Sequence, residues 1–371
     1  MKKFILSACV IIGILAIYIT IYNLTYNYTN NKEKLEVLST TDSTATWYIF
    51  EKYYAINMKN RVLKLTDSLE NKGSFTNNGH SIAYNYYLQD SARANIVVSH
   101  GYTERKEKYK ELAYYFLKMG YQVFILDHYS HGQSSRFTAD SSMIYVDNYD
   151  LFTADLKQFI TTIVEPRSKS LKTVIYAHSM GGGIAARTLE QNPTLADAIV
   201  LNAPMMKLKQ LPPDAIKDLI AKAMIGIGKG TDYTLGHRAF DLSKDKNYNP
   251  TNPATLCNLR GEYWHNEVQK LTMQPSNGAS WKAISEFIKL GHDVVKKENV
   301  EKINVPILLF QAEKDSYVAP EGHYEFAKHA KNIEFYLIEG AAHEIYLESD
   351  SIIKPYYSKI NSFIEKVIKT N

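Results

Sequence analysis

The chain has 371 residues, of which 45% are hydrophobic, and a formal net charge of +4. This length accommodates one large α/β domain with an insertion, and the small positive charge gives no indication of nucleic-acid binding while favouring an anionic lipid surface. With only two cysteines, Cys9 and Cys257, the sequence excludes a disulfide framework.

The N-terminal segment is apolar. Lys2 and Lys3 precede residues 4–22, which contain no charged side chain. As a helix this stretch would be about 28 Å long, close to the roughly 30 Å apolar thickness of a bilayer. We therefore expect residues 1–31 to form an uncleaved membrane anchor and a short spacer, with a cleaved signal peptide as the alternative. The two lysines predict that the N-terminus is cytoplasmic and the rest of the chain lies outside the cytoplasm.

The region after this anchor contains the first signals of a sheet. Residues 32–74 follow no clear pattern, and we assign them to a membrane-proximal segment of undetermined structure. An Asn-Gly step at residues 78–79 is typical of a two-residue hairpin turn, so the core domain is expected to begin near Phe75. Two apolar runs, 94–99 and 121–126, then predict buried strands.

Polar residues follow both of these strands. After the first strand, Gly101 lets the backbone bend, so that the N–H of Tyr102 points toward the end of the sheet. His100, His128 and His131 lie near the same edge. The sequence has neither a paired His-x-x-x-His on a helix nor a cysteine cluster, so it favours hydrogen bonds within the loops over a metal site.

Ser179 lies in a predicted strand-to-helix turn. The apolar pair Val174 and Ile175 leads into it, and small residues, Ala177 and Gly181, stand two positions on either side. A nucleophile elbow needs small residues there, because its strained turn brings neighbouring chain close to the serine. Such a turn would expose the Ser179 hydroxyl at the carboxyl edge of the sheet.

Two later apolar strands end just before Asp315 and His343. Catalytic groups collect at the carboxyl edge of an open α/β sheet, so both residues are candidates for a site with Ser179. His343 would take the Ser179 proton, while Asp315 would orient the imidazole and stabilise its charged form. Glu313 is the nearest alternative to Asp315, because alternate residues near a strand end share a direction.

The chain order of these residues indicates the fold. Serine, then acid, then histidine is the order of an α/β-hydrolase, unlike that of chymotrypsin or subtilisin. We expect an α/β fold with a mostly parallel central sheet flanked by helices, after an N-terminal transmembrane helix. Residues 75–206 and 296–371 would form the core, and residues 207–295, where strand–helix alternation stops, a helical insertion. The backbone N–H groups of Tyr102 and Met180 would form the oxyanion hole.

The motifs resemble those of the monoacylglycerol lipase and bacterial inner-membrane lysophospholipase branch of the α/β-hydrolases. The similarity is carried by His100-Gly101-Tyr102-Thr103-Glu104, Asp127-His128-Tyr129-Ser130-His131-Gly132-Gln133-Ser134, Ala177-His178-Ser179-Met180-Gly181-Gly182, Gln311-Ala312-Glu313-Lys314-Asp315 and Ala342-His343-Glu344-Ile345. The resemblance implies that the insertion is a cap over the active site. Its apolar residues would either line an acyl tunnel or pack the cap onto the core. The resemblance also implies that the protein lies at the bacterial inner membrane, with its catalytic domain outside the cytoplasm. If the N-terminal segment is a cleaved signal, the protein would instead be secreted or periplasmic.

The sequence therefore predicts a serine carboxylic-ester hydrolase acting on single-chain lipids, either a lysophospholipase or a monoacylglycerol lipase, through an acyl-enzyme on Ser179. We expect no cofactor, no metal and no nucleic-acid partner; the membrane and a lipid substrate are the expected partners. A serine peptidase or short-acyl esterase of the same fold is the alternative enzyme, and a non-catalytic binding protein is the alternative outside enzymes.

Overall fold

The computed structural model describes residues 2–26, 28–39, 47–209, 212–251, 254–271 and 275–370, with side chains from residue 12 onward. Within these residues the strands, in chain order, are β1 (Leu35–Val37), β2 (Glu70–Asn77), β3 (His80–Tyr87), β4 (Asn95–Ser99), β5 (Gln122–Leu126), β6 (Met143–Ile144), β7 (Thr173–His178), β8 (Ala198–Asn202), β9 (Gly278–Ala279), β10 (Ile307–Ala312) and β11 (Ile333–Ile338).

The main sheet has the strand order β1-β11-β10-β8-β7-β4-β5-β3-β2. Its pairings are parallel except for β2 with β3 and β3 with β5. The hairpin between β2 and β3 turns at Asn78 and Gly79, both with positive φ, as the Asn-Gly step predicts. Strands β4, β7, β8, β10 and β11 run in the same direction, so their carboxyl ends meet at one edge of the sheet. The predicted mostly parallel sheet is confirmed.

Helices cover both faces of this sheet. They are α1 (Lys2–Thr25), α2 (Tyr54–Asn57), α3 (Lys64–Leu69), α4 (Lys110–Lys118), α5 (Asp150–Phe159), α6 (Met180–Gln191), α7 (Asp214–Gly226), α8 (Leu242–Asp245), α9 (Asn258–Gln269), α10 (Trp281–Val294), α11 (Lys297–Val300), α12 (Pro320–His329) and α13 (Asp350–Lys369). On one face, Leu156 of α5, Ile184 of α6 and Phe326 of α12 belong to a single buried cluster. On the other face, Phe116 of α4 and Tyr356 of α13 belong to a second cluster. The sheet is the middle layer of three.

The described parts of the segment 32–74, residues 32–39 and 47–74, which the sequence left undetermined, pack on the core. β1 adds a parallel edge strand beside β11. Tyr48 and Ile49 are fully buried in the cluster beneath α4 and α13, and the Tyr48 hydroxyl donates a hydrogen bond to the carbonyl of Lys354 over 2.8 Å. β2 begins at Glu70, five residues before the predicted start of the core.

The N-terminal helix α1 corrects the predicted membrane anchor. Across the described residues, no helix combines the length and the apolar character needed to cross a membrane, so the transmembrane helix is not supported. Tyrosines in the second half of α1 instead bind the protein itself. The Tyr18 hydroxyl donates to Asp218 of α7 over 2.7 Å, and the Tyr22 hydroxyl lies 2.8 Å from Nε2 of His292 in α10.

The insertion between residues 207 and 295 contains α7, α8, α9 and α10. Helices α7 and α10 pack against each other, and α10 also packs on α6, which follows Ser179. α9 reaches the opposite layer, where the buried guanidinium of Arg260 forms ion pairs with Glu111 and Asp350. The insertion is therefore attached to both helical layers and covers the carboxyl edge of the sheet near α6.

Candidate active site

Ser179 occupies a strained turn between β7 and α6. Its backbone has φ 52° and ψ −120°, a conformation that costs free energy for a residue with a side chain. A Cβ atom on Gly181 would lie 2.3 Å from the Ser99 carbonyl oxygen and 2.4 Å from that of His100. The start of α6 can therefore approach β4 only because residue 181 is glycine.

The structure brings Ser179, His343 and Asp315 together. Nε2 of His343 lies 2.7 Å from the Ser179 hydroxyl oxygen, and Nδ1 of His343 lies 2.7 Å from Oδ2 of Asp315. All three residues are buried. Because Asp315 can only accept a hydrogen bond when ionised, the Nδ1 atom carries the proton and Nε2 faces the serine as an acceptor.

Asp315 is held as a carboxylate by its surroundings. Its second oxygen, Oδ1, accepts hydrogen bonds from the N–H groups of Tyr317 (2.8 Å) and Val318 (3.0 Å). Burial raises the pKa of the Asp315 carboxyl. The electrostatic attraction and hydrogen bond of the His343 imidazole, together with the two backbone N–H groups, outweigh burial and lower the pKa below its usual value.

Glu313, the alternative acid, takes no part in this arrangement. Its side chain is exposed, and Oε2 accepts a hydrogen bond from the N–H of Gly340 over 2.8 Å. The carboxylate in contact with the His343 imidazole is that of Asp315.

Two aromatic rings pack against the His343 imidazole. The ring centroid of His178 lies 4.7 Å from that of His343, and the Tyr317 ring lies 5.0 Å away. His178, which precedes the nucleophile in the chain, therefore packs on the base rather than pointing away from it. Nδ1 of His178 lies 2.8 Å from Nδ2 of Asn202, and burial lowers the pKa of His178 to about 3, so a neutral ring packs on the base.

The two predicted oxyanion donors flank Ser179. Met180 is the first residue of α6, where the backbone N–H groups of a helix have no intrahelical partner. Tyr102 lines the same pocket as Ser179. A Cβ atom on Gly101 would lie 3.2 Å from the Ser179 Cβ, so the loop before Tyr102 is in contact with the serine. This loop is fixed by Glu104, which accepts the Gly101 N–H over 2.6 Å.

The three histidines at this edge hold loops together. His100 accepts the backbone N–H of His128 at Nε2 over 3.0 Å and donates from Nδ1 to the Gly101 carbonyl. Nε2 of His128 lies 2.8 Å from the Ser99 hydroxyl, and Nδ1 of His131 lies 2.9 Å from a carbonyl of its own loop. Burial lowers the pKa of all three imidazoles, which keeps them neutral.

An ion network beside His343 was not predicted. The ammonium of Lys108, whose side chain is 15% exposed, forms ion pairs with Glu104, over 2.9 Å, and with Glu344. His178 and these two carboxylates have potential metal-ligating atoms that all lie within 4.8 Å of one another. Among the described residues, they are the one such group of three or more side chains. The single positive charge of Lys108 lies between these two carboxylates. The spacing of Glu104 and Lys108, four residues apart, and the position of Glu344 after His343 are the signals in the sequence.

An apolar pocket opens beside the serine. It has a volume of about 330 Å³, and Ser179, His343 and Tyr102 line it. Its apolar lining comes from both the core and the insertion: Met205, Leu208, Ile284, Phe287 and Val318. The insertion thus contributes Ile284 and Phe287 of α10 to the pocket wall.

Comparison with known proteins identifies the family. A family model described as serine aminopeptidase, S33 (Hydrolase_4), matches residues 90–350. The chain belongs to this family. The matched range contains Ser179, Asp315 and His343. The chain is therefore an enzyme, a hydrolase, as the sequence predicts.

Its relatives include lipid hydrolases. The chain is 29% identical over 271 residues to lysophospholipase L2 of Escherichia coli strain K12, covering 69% of this chain and 76% of that protein. It is 25% identical over 277 residues to human monoglyceride lipase, covering 74% and 83%. The solved structure of a soluble variant of monoglyceride lipase from Saccharomyces cerevisiae matches with a TM-score of 0.64 and 19% identity, covering 81% of this chain and 96% of that one. The predicted α/β-hydrolase fold is confirmed.

Proposed function

We propose that this hydrolase cleaves the carboxylic-ester bond of single-chain lipids, with lysophospholipids as the first candidate and monoacylglycerols as the second. One observation carries the proposal: the hydrogen-bonded chain Ser179–His343–Asp315 meets an apolar pocket of about 330 Å³. Such a pocket removes an acyl chain from water and leaves the ester at the serine. The names of the lysophospholipase and monoglyceride lipase relatives support the same substrate class.

In the acylation step, Ser179 would attack the ester carbonyl while Nε2 of His343 accepts its proton. The carbonyl oxygen becomes an oxyanion, which would accept hydrogen bonds from the N–H groups of Tyr102 and Met180. When the tetrahedral intermediate collapses, the C–O bond to the glycerol part breaks. The leaving oxygen takes the proton from His343, which releases the alcohol and leaves the acyl group on Ser179.

In the deacylation step, a water molecule would lose its proton to His343 as it attacks the acyl-enzyme. Collapse of the second intermediate returns the proton to the Ser179 oxygen and frees the fatty acid. Asp315 stays ionised in both steps and stabilises the imidazolium, which its lowered pKa permits.

A substrate panel tests this proposal. Purified enzyme would be given oleoyl lysophosphatidylethanolamine, monooleoylglycerol, a butyryl ester and an aminoacyl arylamide, the last because the family model is described as serine aminopeptidase. We expect fatty-acid release from the two lipids to dominate. Ser179→Ala should lower kcat by about 10⁵-fold or more, because the nucleophile is absent. Faster cleavage of the arylamide, or activity retained by Ser179→Ala, would contradict the proposal.

The location of the enzyme stays a prediction. Lys2 and Lys3 before the apolar N-terminal segment favour the bacterial inner membrane with an extracytoplasmic catalytic domain, or a secreted or periplasmic enzyme after cleavage. Fractionation of cells that express the full chain, combined with external protease, tests this. Protection of the catalytic domain from protease in intact spheroplasts would contradict it.

A further inference from the structure

A second chamber adjoins the apolar pocket. Its volume is about 520 Å³, larger than that of the apolar pocket. The two share five lining residues: Thr103, Glu104, Ala254, Asn277 and Glu344. Because Glu344 directly follows His343, this shared wall lies next to the reacting groups. A substrate whose ester carbon is at Ser179 can therefore extend into one chamber from each side of the ester.

The lining of the second chamber differs in chemistry from that of the first. Met205, Leu208, Ile284, Phe287 and Val318 line the apolar pocket and are absent from the second chamber. The second chamber has aromatic and aliphatic lining residues of its own, among them Phe240, Tyr248, Trp264, Val268 and Leu347. It also has amide and charged side chains that the first lacks: Arg105, Lys108, Arg238, Lys244, Asp245, Asn247, Asn249 and Gln269. Carboxylates are present as well, and each cation of the lining has one nearby: Arg105 pairs with Glu107, Lys108 with Glu104 and Glu344, Arg238 with Asp245, and Lys244 lies 3.5 Å from Asp241. This wall suits a charged, hydrogen-bonding group rather than an alkyl chain.

Two of these cations are placed to reach a ligand. The Arg238 guanidinium is 43% exposed and is held by a fork of hydrogen bonds to both oxygens of Asp245 in α8. That fork fixes the plane of the guanidinium, and Nη1 also donates to the Ala239 carbonyl over 2.9 Å. The Nε hydrogen and the second Nη2 hydrogen are left for a ligand. The Lys244 ammonium is 65% exposed and lies 3.5 Å from Asp241. In contrast, the ammonium of Lys108 is taken up by two buried carboxylates.

We propose that the second chamber is the binding site for the phosphodiester headgroup of a lysophospholipid, with Arg238 and Lys244 contacting the phosphate. This inference rests on the proposed function and decides between its two substrates. The three-carbon glycerol of a monoacylglycerol carries no charge for these cations and occupies a small part of a chamber of about 520 Å³. A phosphodiester headgroup is longer, and its charge complements the exposed guanidinium of Arg238 and the exposed ammonium of Lys244.

The test compares lipids that share one oleoyl chain and differ in the headgroup: lysophosphatidylethanolamine, lysophosphatidylglycerol and monooleoylglycerol. We expect Arg238→Gln to lower kcat/KM for both lysophospholipids about tenfold, mainly through KM, because a charge-assisted contact to phosphate is lost. The loss for monooleoylglycerol should be at least fivefold smaller. Lys244→Gln should also lower kcat/KM for the lysophospholipids more than kcat/KM for monooleoylglycerol.

Arg93→Gln is the matched control. The Arg93 side chain is 45% exposed and pairs with Glu365, but it lines neither chamber. This variant should leave the substrate ratio unchanged. As a second measurement, glycerophosphoethanolamine, the expected product, should inhibit the wild type competitively and inhibit Arg238→Gln less.

Three results would overturn the headgroup site. One is an equal effect of Arg238→Gln on all three lipids, the second is inhibition by inorganic phosphate as strong as that by glycerophosphoethanolamine, and the third is a wild-type preference for monooleoylglycerol. In each case, Ser179-dependent hydrolysis of an oleoyl lipid would still support the proposed ester-hydrolase function. If the wild type cleaves none of the three lipids, the proposed function itself fails.

Discussion

Asp315 and Glu313 stand two residues apart after the same strand, yet their surroundings differ. The Asp315 side chain is buried and accepts hydrogen bonds from the His343 imidazole and from two backbone N–H groups. Glu313 is exposed and binds the N–H of Gly340. The role of each carboxylate therefore depends on where the loop places its side chain. Changing each carboxylate to the corresponding amide gives two variants that carry the same chemical change at different places.

Asp315→Asn should lower kcat by about 10³- to 10⁴-fold, because an amide does not fix the His343 tautomer or stabilise the imidazolium. Glu313→Gln makes the same change of a carboxylate to an amide outside the hydrogen-bonded chain, and its kcat should stay within about twofold of the wild type. The kcat of both variants, measured from steady-state hydrolysis of the same lipid, tests this difference. Equal losses would mean that the acid is assigned to the wrong residue.

Sequence reasoning located Ser179, Asp315 and His343 because each directly follows an apolar run, and the ends of parallel strands share one edge. It did not find the pairing of Lys108 with Glu344. These residues are 236 positions apart, and they meet only when the segment before α4 and the loop after β11 come together in the fold. Pairings of this kind depend on tertiary packing and leave no periodic pattern in the chain.

Helix α6 and strand β4 approach each other so closely that their contact is made by backbone atoms. At Gly181, an added Cβ would meet two carbonyl oxygens at 2.3 and 2.4 Å, and backbone cannot move aside as a flexible side chain can. Gly226, at the end of α7, has no heavy atom within 4 Å of such a Cβ. The same substitution therefore has opposite consequences in the two helices.

Gly181→Ala should destabilise the fold by about 3 kcal/mol, because α6 must shift away from β4. A shift of the nucleophile should also lower kcat by about 10²-fold. Gly226→Ala should leave activity unchanged and raise stability by up to about 1 kcal/mol through helix propensity. Urea unfolding and kcat of the two variants measure both effects. A Gly181→Ala protein with wild-type stability and activity would refute the close contact.

The sequence predicted those helices and strands whose hydrophobic residues recur at regular spacing. It did not predict elements that form only by pairing with residues far away in the chain. β1 has three residues and becomes a strand only by pairing with β11, some 300 positions later in the chain. The aromatic residues of α1 are compatible with a membrane interface in the sequence, but Tyr18 and Tyr22 bind Asp218 and His292. The same tyrosine can anchor to headgroups or to protein, and its local sequence does not distinguish the two.

At the scale of the whole fold, six buried imidazoles among the described residues are kept neutral by burial. Burial is the largest cause of the lowered pKa in every case, and the pKa is about 3 for His178 and about 4 for His292 and His323. The six residues are His100, His128, His131, His178, His292 and His323. In the unfolded chain each would bind a proton near pH 6.5.

The fold should therefore lose stability as the pH falls from about 6.5 toward 4. Within this window the unfolded state binds protons that the native imidazoles do not, so each group lowers the free energy of unfolding by up to about 1.4 kcal/mol per pH unit. Four buried or partly buried carboxyls with a raised pKa act in the opposite direction, namely Asp155, Glu190, Glu344 and Glu348. Because the imidazoles outnumber them, urea unfolding at pH 7, 6 and 5 should show a decline. A free energy of unfolding that stays constant or rises toward pH 5 would contradict it.

The two ends of the fold lie in different environments. α1 rests on α7 and α10, beside the wall of the apolar pocket, whereas α13 packs in the opposite helical layer. Attachment of the enzyme to a bead or electrode through the end of α13 should leave substrate access intact. Attachment through α1 would place the support beside α7 and α10, and α10 lines the apolar pocket, so an enzyme attached there should turn over more slowly than one attached through α13.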